Sequence, residues 1–335
     1  MRLLLLEYIT AGGLNRDTLK TSLLEEAILM RDALLRDFSD IPDIELTTTY
    51  DARLSNPGYV AYAIPIDVNV NPIEIWQKLL TNCDTALIVA PETSDILTKL
   101  TKMIEAAAIK NLGCHIEAVT VASDKYYSYQ LLTHAGIATI STYKITDIAV
   151  SKLISSHGFI VKPNDGAGCE ATHYFSNKSD VQAWLVGREW GNLIIQPYQP
   201  GLPASISAVF KNGQAWVLSC NEQLIKIQAE GNKSVMLKGC RVNALNQYLD
   251  GFNKLANKIA ATLPTLNGFA GIDVILDKGN IYVVEINPRI TTSYIGLRES
   301  LDYNPAQLIL DSVLMPAFEM PVDMTKNTVD IHLNV

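Results

Sequence analysis

Along the first hundred residues, short apolar runs alternate with longer segments whose apolar positions recur every three or four residues. "RLLLLEYI" (2–9), "IELTTTY" (44–50) and "TALIVAPE" (85–92) are of the first kind, and predict strands. "LLEEAILMRDALLRDF" (23–38) and "SDILTKLTKMIEAAA" (94–108) are of the second. They predict helices, the latter capped by Ser94 or Asp95. Strands alternating with helices predict an open, mostly parallel sheet whose ligands lie at the carboxyl ends of its strands. "ITAGGLN" (9–15) gives the first strand a glycine turn, but its spacing is not the GxGxxG of a dinucleotide site.

From about residue 120 the pattern changes. "SDKYYSYQLLTHAG" (123–136) predicts a capped helix ending at Gly136, the residue type favoured past a helix end. "GFIVKPNDGAGCEATHYF" (158–175) reads as strand, loop, strand. Strand signals then dominate: "NLIIQPY", "SISAVFK", "QAWVLSCNEQLIKI", "FAGIDVIL" and "NIYVVEIN", interrupted by the helix "LNQYLDGFNKLANKIAATL". These shifts divide the chain into an αβ unit over 1–114, a smaller unit over 115–193 and a β-rich unit over 194–335.

Composition narrows the function classes. An apolar fraction of 48% and a charged fraction of 19% over 335 residues suit a globular protein with two or three cores. The net charge of −8 argues against nucleic acid as a partner, whose backbone requires a basic face. No run approaches the roughly 18 apolar residues of a membrane span. The four leucines of "MRLLLLEY" are too few for a signal-peptide core, so they are read as a buried first strand. Cysteines 83, 114, 169, 220 and 240 are widely spaced and form no CxxC pair. They argue against zinc or a disulfide framework and for a reducing cytoplasm.

The stretch "VVEINPRITTSY" (283–294) breaks the apolar pattern with Glu285, Asn287 and Arg289 at every second position. Side chains two apart on a strand share a face, and an unpaired buried charge is costly. "DKGN" before it signals a hairpin. A three-residue loop of Lys278, Gly279 and Asn280 would place Asp273 directly opposite Glu285, whereas a two-residue loop would place it opposite Val284 on the other face. In the first register two carboxylates share a face with Asn287. Their repulsion calls for a cation, and an all-oxygen set suits a hard ion such as Mg²⁺, with waters and substrate phosphates as further ligands. The competing reading is a solvated strand face with incidental acids.

Other features are weaker singly. Arg289 offers a fork for phosphate or carboxylate oxygens, or a structural ion pair. Lys162 opens a loop holding Gly166 and Gly168. Such a backbone can approach phosphate oxygens closely, though an ordinary glycine turn would read the same. Lys125, beside Asp124 at a helix start, reads equally as a solvated lysine. "IIQPYQPG" breaks a strand at Pro197 and Pro200, freeing backbone groups that could meet an adenine edge, or making a surface turn.

The order of these features is more specific than any one of them. A lysine, a strand lysine with a glycine loop, a broken strand, then Asp and Glu-x-Asn-x-Arg on paired strands resembles the ATP-grasp superfamily over residues 115 to 300. The resemblance implies an α/β (α+β grasp) chain, with an N-terminal open αβ domain followed by a two-lobed ATP-grasp domain. It implies ATP and Mg²⁺, with Mn²⁺ as a substitute. Lys125 and Lys162 would contact the phosphates under a lid from Asn164 through Asp165, Gly166 and Gly168 to Cys169. Gln196, Pro197 and Tyr198 would meet adenine, and Asp273, Glu285 and Asn287 would hold Mg²⁺. Arg289 would lie near the γ-phosphate and an acyl phosphate. Where relatives carry an acid for the ribose this chain has "GLPASIS", leaving Ser205 or Ser207 as substitutes.

"LLLLEYITAGG" and "VEINPRITTSYIGLR" together resemble, more narrowly, the tyramine–glutamate ligase family of methanofuran biosynthesis. This implies small-molecule carboxylate and amine substrates and a γ-glutamyl amide product of tyramine or tyrosine. Thr291, Thr292, Ser293 and Tyr294 would line the acceptor site, unless they only close the strand end, and Glu7 would read substrate from the N-terminal unit. No histidine stands in a motif that would make it a general base. A ligase for other amino acids or peptides, and a non-catalytic nucleotide-binding regulator, are the alternatives. Nothing in the sequence decides between a monomer and a homodimer.

Overall fold

The computed structural model describes residues 1–60, 62–228 and 233–334. Its first sheet is all parallel, in the order β3-β2-β1-β4-β5, formed by β1 (Arg2–Glu7), β2 (Glu45–Asp51), β3 (Tyr62–Ile66), β4 (Thr85–Val89) and β5 (Lys110–Asn111). Both faces of such a sheet are covered, which is why β1 is an unbroken leucine run. Leu3 and Leu5 pack with Leu34 and Phe38 of α1 (Thr21–Ser39). Leu4 and Leu6 pack with Trp76 and Leu80 of α2 (Pro72–Leu80) and Leu97 and Leu100 of α3 (Ile96–Ala106). Each buried leucine contributes about 1.5–3 kcal/mol. Helix α3 starts without a side-chain cap, contrary to expectation. Ser94 and Asp95 both adopt left-handed backbone, at φ 56° and 60°.

Helices α4 (Ile116–Ser123) and α5 (Lys125–His134) lead out of this unit. Asp124 caps α5 by accepting from the Tyr127 N–H at 2.7 Å, and Gly136 follows its end at φ 64°. A four-stranded sheet comes next, in the order β6-β9-β7-β8, from β6 (Tyr143–Lys144), β7 (Phe159–Pro163), β8 (His173–Phe175) and β9 (Leu193–Pro197), backed by α6 (Lys178–Leu185). It has its own core around Phe159, Val161, Phe175, Val181 and Ile195. Strand β9 (Leu193–Pro197) pairs with β7 and so belongs to this sheet.

The last sheet runs β14-β13-β10-β11-β12-β15 and is antiparallel. Its strands are β10 (Leu202–Lys211), β11 (Gln214–Ile227), β12 (Val235–Val242), β13 (Gly268–Asp277), β14 (Asn280–Asn287) and β15 (Val329–His332). Helix α7 (Leu249–Thr262) covers one face, with Phe252, Ala256 and Ile259 against Ile206, Ala208, Ile272 and Val274. Helices α8 (Leu297–Leu301) and α9 (Pro305–Leu314) join α1 in the core of the other. That second face turns polar towards the middle sheet. On β10, Val209 gives way to Ser207 and Ser205, and the cleft opens there.

Candidate active site

The turn between β13 and β14 is not the three-residue loop expected from the sequence. Asp277 pairs with Asn280 around a two-residue turn in which Lys278 and Gly279 both have positive φ, 47° and 85°, the geometry that suits strand twist. Continued regularly, that register would set Val284 opposite Asp273. Instead the ladder shifts between Asp273 and Val274, with Val274 against Val283 and Asp273 against Glu285. The extra residue is Val284, a β-bulge. The expected pair exists, by a different route. The bulge also turns both Val284 and Glu285 to the cleft, which a regular strand cannot do with neighbours.

Asp273, Glu285 and Asn287 form one wall of a cleft whose empty space, open mouth included, is about 1450 Å³. Asp273 accepts from Gln223 Nε2 at 2.9 Å and from Asn287 Nδ2 at 3.2 Å. Across the cleft, Lys162 Nζ on β7 donates to Glu285 Oε2 at 2.9 Å, and Lys125 Nζ lies 3.6 Å from the same oxygen. Burial alone would raise the Glu285 carboxyl; Lys125 and Lys162 outweigh it and hold the group at about 2. Asp273 has no such neighbour within bonding distance. Burial and the Glu285 charge push it up to about 7.

The two facing acids fit a divalent cation, because the unrelieved repulsion on Asp273 is what such an ion removes. Among the described residues no group of three or more His, Cys, Asp or Glu gathers around a common point. Two carboxylates and the Asn287 amide oxygen are the groups that would hold such an ion, an oxygen set suited to Mg²⁺ with waters and phosphates completing its shell.

Lys125 is fixed by the loop it serves. Its backbone N–H donates to the Asn164 carbonyl, its Nζ to the Gly166 carbonyl, and Asn164 Oδ1 accepts from the Tyr126 N–H at 2.9 Å. Asn164 thus positions Lys125 and does not line the cleft. Asp165 likewise turns away, accepting from the Ser94 N–H at 2.9 Å and Asn192 Nδ2 at 2.6 Å. Gly166, Gly168 and Cys169 do line it.

Gln196, Pro197 and Tyr198 line the far end with Ile160, Ile275 and Val284. The free N–H groups expected there are absent at two of the three residues. Proline has none, and the Tyr198 N–H donates to the Gly158 carbonyl at 2.8 Å. Gln196 Nε2 donates to Thr142 Oγ1 at 2.8 Å. Ser205 lines the cleft, while Ser207 lies beneath, bonded to Ser293 at 2.7 Å, and Asn221 Nδ2 donates to both serines.

Arg289 lines the opposite end, its Nε 2.9 Å from Glu92 Oε1. The structural ion pair is present, and it fixes a group that faces the cleft. Thr291, Thr292 and Ser293 line the cleft beside it, and Thr292 Oγ1 donates to Glu26 of α1. The Thr291 turn lies close against Gly271, where a Cβ would stand 2.7 Å from Thr291 Cγ2. Two expected substrate groups lie elsewhere. Tyr294 is fully buried against Phe269, a core anchor. Glu7 is buried at the end of β1, accepting from the Thr10 hydroxyl and the Thr10 and Ile9 N–H groups, so it holds its own turn.

Glu26, Glu92, Asn221 and Gln223 went unread in the sequence. Asn221 and Gln223 had a usable signal, since they alternate on β11 as Glu285 and Asn287 do on β14. Glu26 and Glu92 had none, because acids in a helix turn and after a strand are usually solvated.

A family model described as an ATP-grasp domain matches residues 122–293, and one described as a pre ATP-grasp 3 domain matches 44–119. The chain belongs to the ATP-grasp family. It is 30% identical to a tyramine–L-glutamate ligase of Methanocaldococcus jannaschii over 98% of this chain and 94% of that protein. The corresponding enzyme of Methanocaldococcus fervens is 29% identical over 88% and 89% of the two chains. The crystal structure of an ATP-grasp superfamily protein from Archaeoglobus fulgidus superposes with a TM-score of 0.70 at 21% identity, covering 99% of both chains. As an ATP-grasp member with ligase relatives, the chain is an ATP-dependent carboxylate–amine ligase. Among the described residues no helix is long and apolar enough to cross a membrane.

Proposed function

We propose that this chain joins the γ-carboxylate of L-glutamate to tyramine, or a related aromatic amine such as tyrosine, in the biosynthesis of a methanofuran- or methylofuran-type cofactor. The reading rests on one convergence. Lys125, Lys162, the facing Asp273 and Glu285, Asn287 and Arg289 share a single cleft, in a chain that aligns along 98% of its length with a tyramine–L-glutamate ligase. Five unpaired cysteines suit a reducing cytoplasm.

The reaction is phosphoryl transfer followed by acyl transfer. A glutamate carboxylate oxygen takes the γ-phosphoryl group of ATP and ADP leaves. The amine nitrogen then bonds to the acyl carbon, and the C–O bond to phosphate breaks. Little of this is covalent work for the protein, so positioning and charge carry the rate. Lys125 and Lys162, released from Glu285 as phosphate oxygens arrive, hold the triphosphate. Gly166 and Gly168 let the loop backbone close over it and keep water from the acyl phosphate. Gln196, Pro197 and Tyr198, with Ile160 and Val284, provide the adenine slot, and Ser205 is the nearest hydroxyl for the ribose. Mg²⁺, when bound at Asp273, Glu285 and Asn287, neutralises charge on the phosphate oxygens. Arg289, held by Glu92, directs its fork at the transferred group.

The test is ADP release from purified protein with ATP, Mg²⁺, glutamate and a panel of amines, with products identified by mass. Release that requires glutamate and tyramine or tyrosine, yielding the γ-glutamyl amide, is expected. Turnover with other amines but neither of these would overturn the substrate assignment. Tight Mg–ATP binding without turnover on any carboxylate would instead favour a regulatory nucleotide module.

A further inference from the structure

The amine step needs a group that takes a proton, and the residues assigned so far provide none. Lys125, Lys162 and Arg289 are cations, Glu285 is paired with two of them, and Asp273 faces it where a metal belongs. An aliphatic amine is an ammonium near neutral pH, since such groups titrate around 10.4, and an ammonium has no lone pair for attack.

We propose that Glu26 binds the ammonium of the acceptor and takes its proton, acting as the catalytic base of amide formation. The assignment rests on the ligase reading above. Among the described residues of the N-terminal unit, Glu26 alone lines the cleft. It projects from the second turn of α1. Among the described residues no cation pairs with it, whereas Glu92 is paired with Arg289, Glu170 with Lys20 and Glu285 with Lys162. Among the described residues its hydrogen-bond partner is the Thr292 hydroxyl, which donates to Oε1. That bond fixes the carboxylate and leaves Oε2 for a ligand. Thr292 stands three residues beyond Arg289, so Glu26 is at the phosphoryl end of the cleft, away from Gln196 and Tyr198. Arg289, Cys169 of the glycine loop and Glu26 all line this same cleft.

R–NH₃⁺ docks on the Glu26 carboxylate and gives it one proton. The freed lone pair forms the C–N bond at the acyl carbon, and the C–O bond to phosphate breaks. The second nitrogen proton leaves with phosphate as HPO₄²⁻, and Glu26 returns its proton to solvent. No oxidant or further reactant is required.

The test compares two acceptors in one preparation, tyramine and hydroxylamine, the latter largely uncharged at neutral pH and trapped as the hydroxamate. Glu26→Gln keeps the size and loses the charge. Turnover with tyramine should fall roughly 100-fold, the usual worth of general-base catalysis, and the ratio of tyramine to hydroxylamine turnover should fall at least tenfold. Glu26→Asp should recover part of the ratio, and Thr292→Val should lower it by a smaller factor. If Glu26→Gln shows no melting transition, those two variants carry the same comparison. Equal loss with both acceptors would overturn the assignment, as would unchanged turnover with tyramine. Wild-type protein that uses neither acceptor with glutamate would overturn the glutamate–amine reading of the proposed function and this assignment together.

Discussion

Asp273 faces Glu285 because β14 carries one residue more than β13 between that pair and the turn, and the extra residue, Val284, turns into the cleft beside Glu285. This separates two roles that a regular strand would merge. Deleting Val284 should heal the bulge and leave Glu285 opposite Asp273, since the two-residue turn then sets that register directly. What is lost is an apolar wall of the proposed adenine slot, on the scale of one buried valine, about 1.5 kcal/mol or roughly tenfold. The expected outcome is a rise in KM for ATP with kcat much less affected. Abolished turnover in a folded deletion variant would show that the bulge itself places the acid.

Glu285 is also what keeps Lys125 and Lys162 buried. Their side chains are only 6% and 8% exposed, and both share its Oε2. Glu285→Gln leaves two cations facing each other in a poorly hydrated site. Breaking a buried pair from one side costs roughly 3 kcal/mol, so the nucleotide-free melting temperature should fall, and ADP should restore much of the loss by supplying phosphates. Turnover should disappear. Near-normal activity would remove Glu285 from the metal set.

The strands, most helices and the site's central motif were legible because each rests on local pattern: period-two polar positions on β14, leucines on a doubly covered β1, glycines in the lid. What stayed hidden depends on how separate units pack. Glu26 reaches the cleft only because α1 lies against the turn after β14, 266 residues away along the chain. Tyr294 shares the "ITTSY" run with three cleft residues, yet the helical turn at Thr292–Gly296 points it into the core. The bulge had no sequence signal, so a mistaken loop length led to the correct pair.

The acids should give the metal-free protein a distinctive pH response. Asp273 titrates at about 7 in the fold against 3.8 ordinarily. The native state therefore binds this proton more tightly than the unfolded chain, and stability falls as pH rises from about 3.8 through 7. Glu285, lowered from 4.5 to about 2, acts in the opposite sense, adding stability as pH rises from about 2 to 4.5. Of these two acids only Asp273 acts between about pH 4.5 and 7. Asp273→Asn should remove that effect, giving a flatter melting profile over that range together with loss of turnover. A wild-type profile that is already flat would contradict the raised Asp273.

Glu92 is a positioning residue, buried at 3% exposure and bonded to Arg289 Nε. Nη1 donates to the Ile290 carbonyl at 3.1 Å, so the two bonds anchor Nε and Nη1 and leave Nη2 for a ligand in the cleft. Glu92→Gln keeps one acceptor but loses the charge that orients the fork. A loss of roughly tenfold in kcat is expected, less than the roughly 100- to 1,000-fold cost of removing a transition-state donor outright, with KM for ATP little changed. Arg289→Lys should cost more, because an ammonium cannot reproduce the fork. A rise in KM without loss of kcat would assign Glu92 to nucleotide binding.

The glycine loop is tied to the N-terminal unit at two points. Lys20 meets Glu170 at 2.9 Å, and Asp165 accepts from the Ser94 N–H. Ser94 and the following Asp95 hold left-handed backbone, a conformation unfavourable for residues with a Cβ, and the Asp165 bond helps to keep it. In the proposed mechanism these contacts would let the unit that carries Glu26 hold the loop closed over the acyl phosphate. Cutting them should let water compete with the amine. In Asp165→Ala, the ratio of ADP released to amide formed should rise by roughly twofold or more, and Lys20→Ala should do less, as exposed pairs are weak. A lower rate with an unchanged ratio would mean that the contacts set the speed of closure and not the exclusion of water.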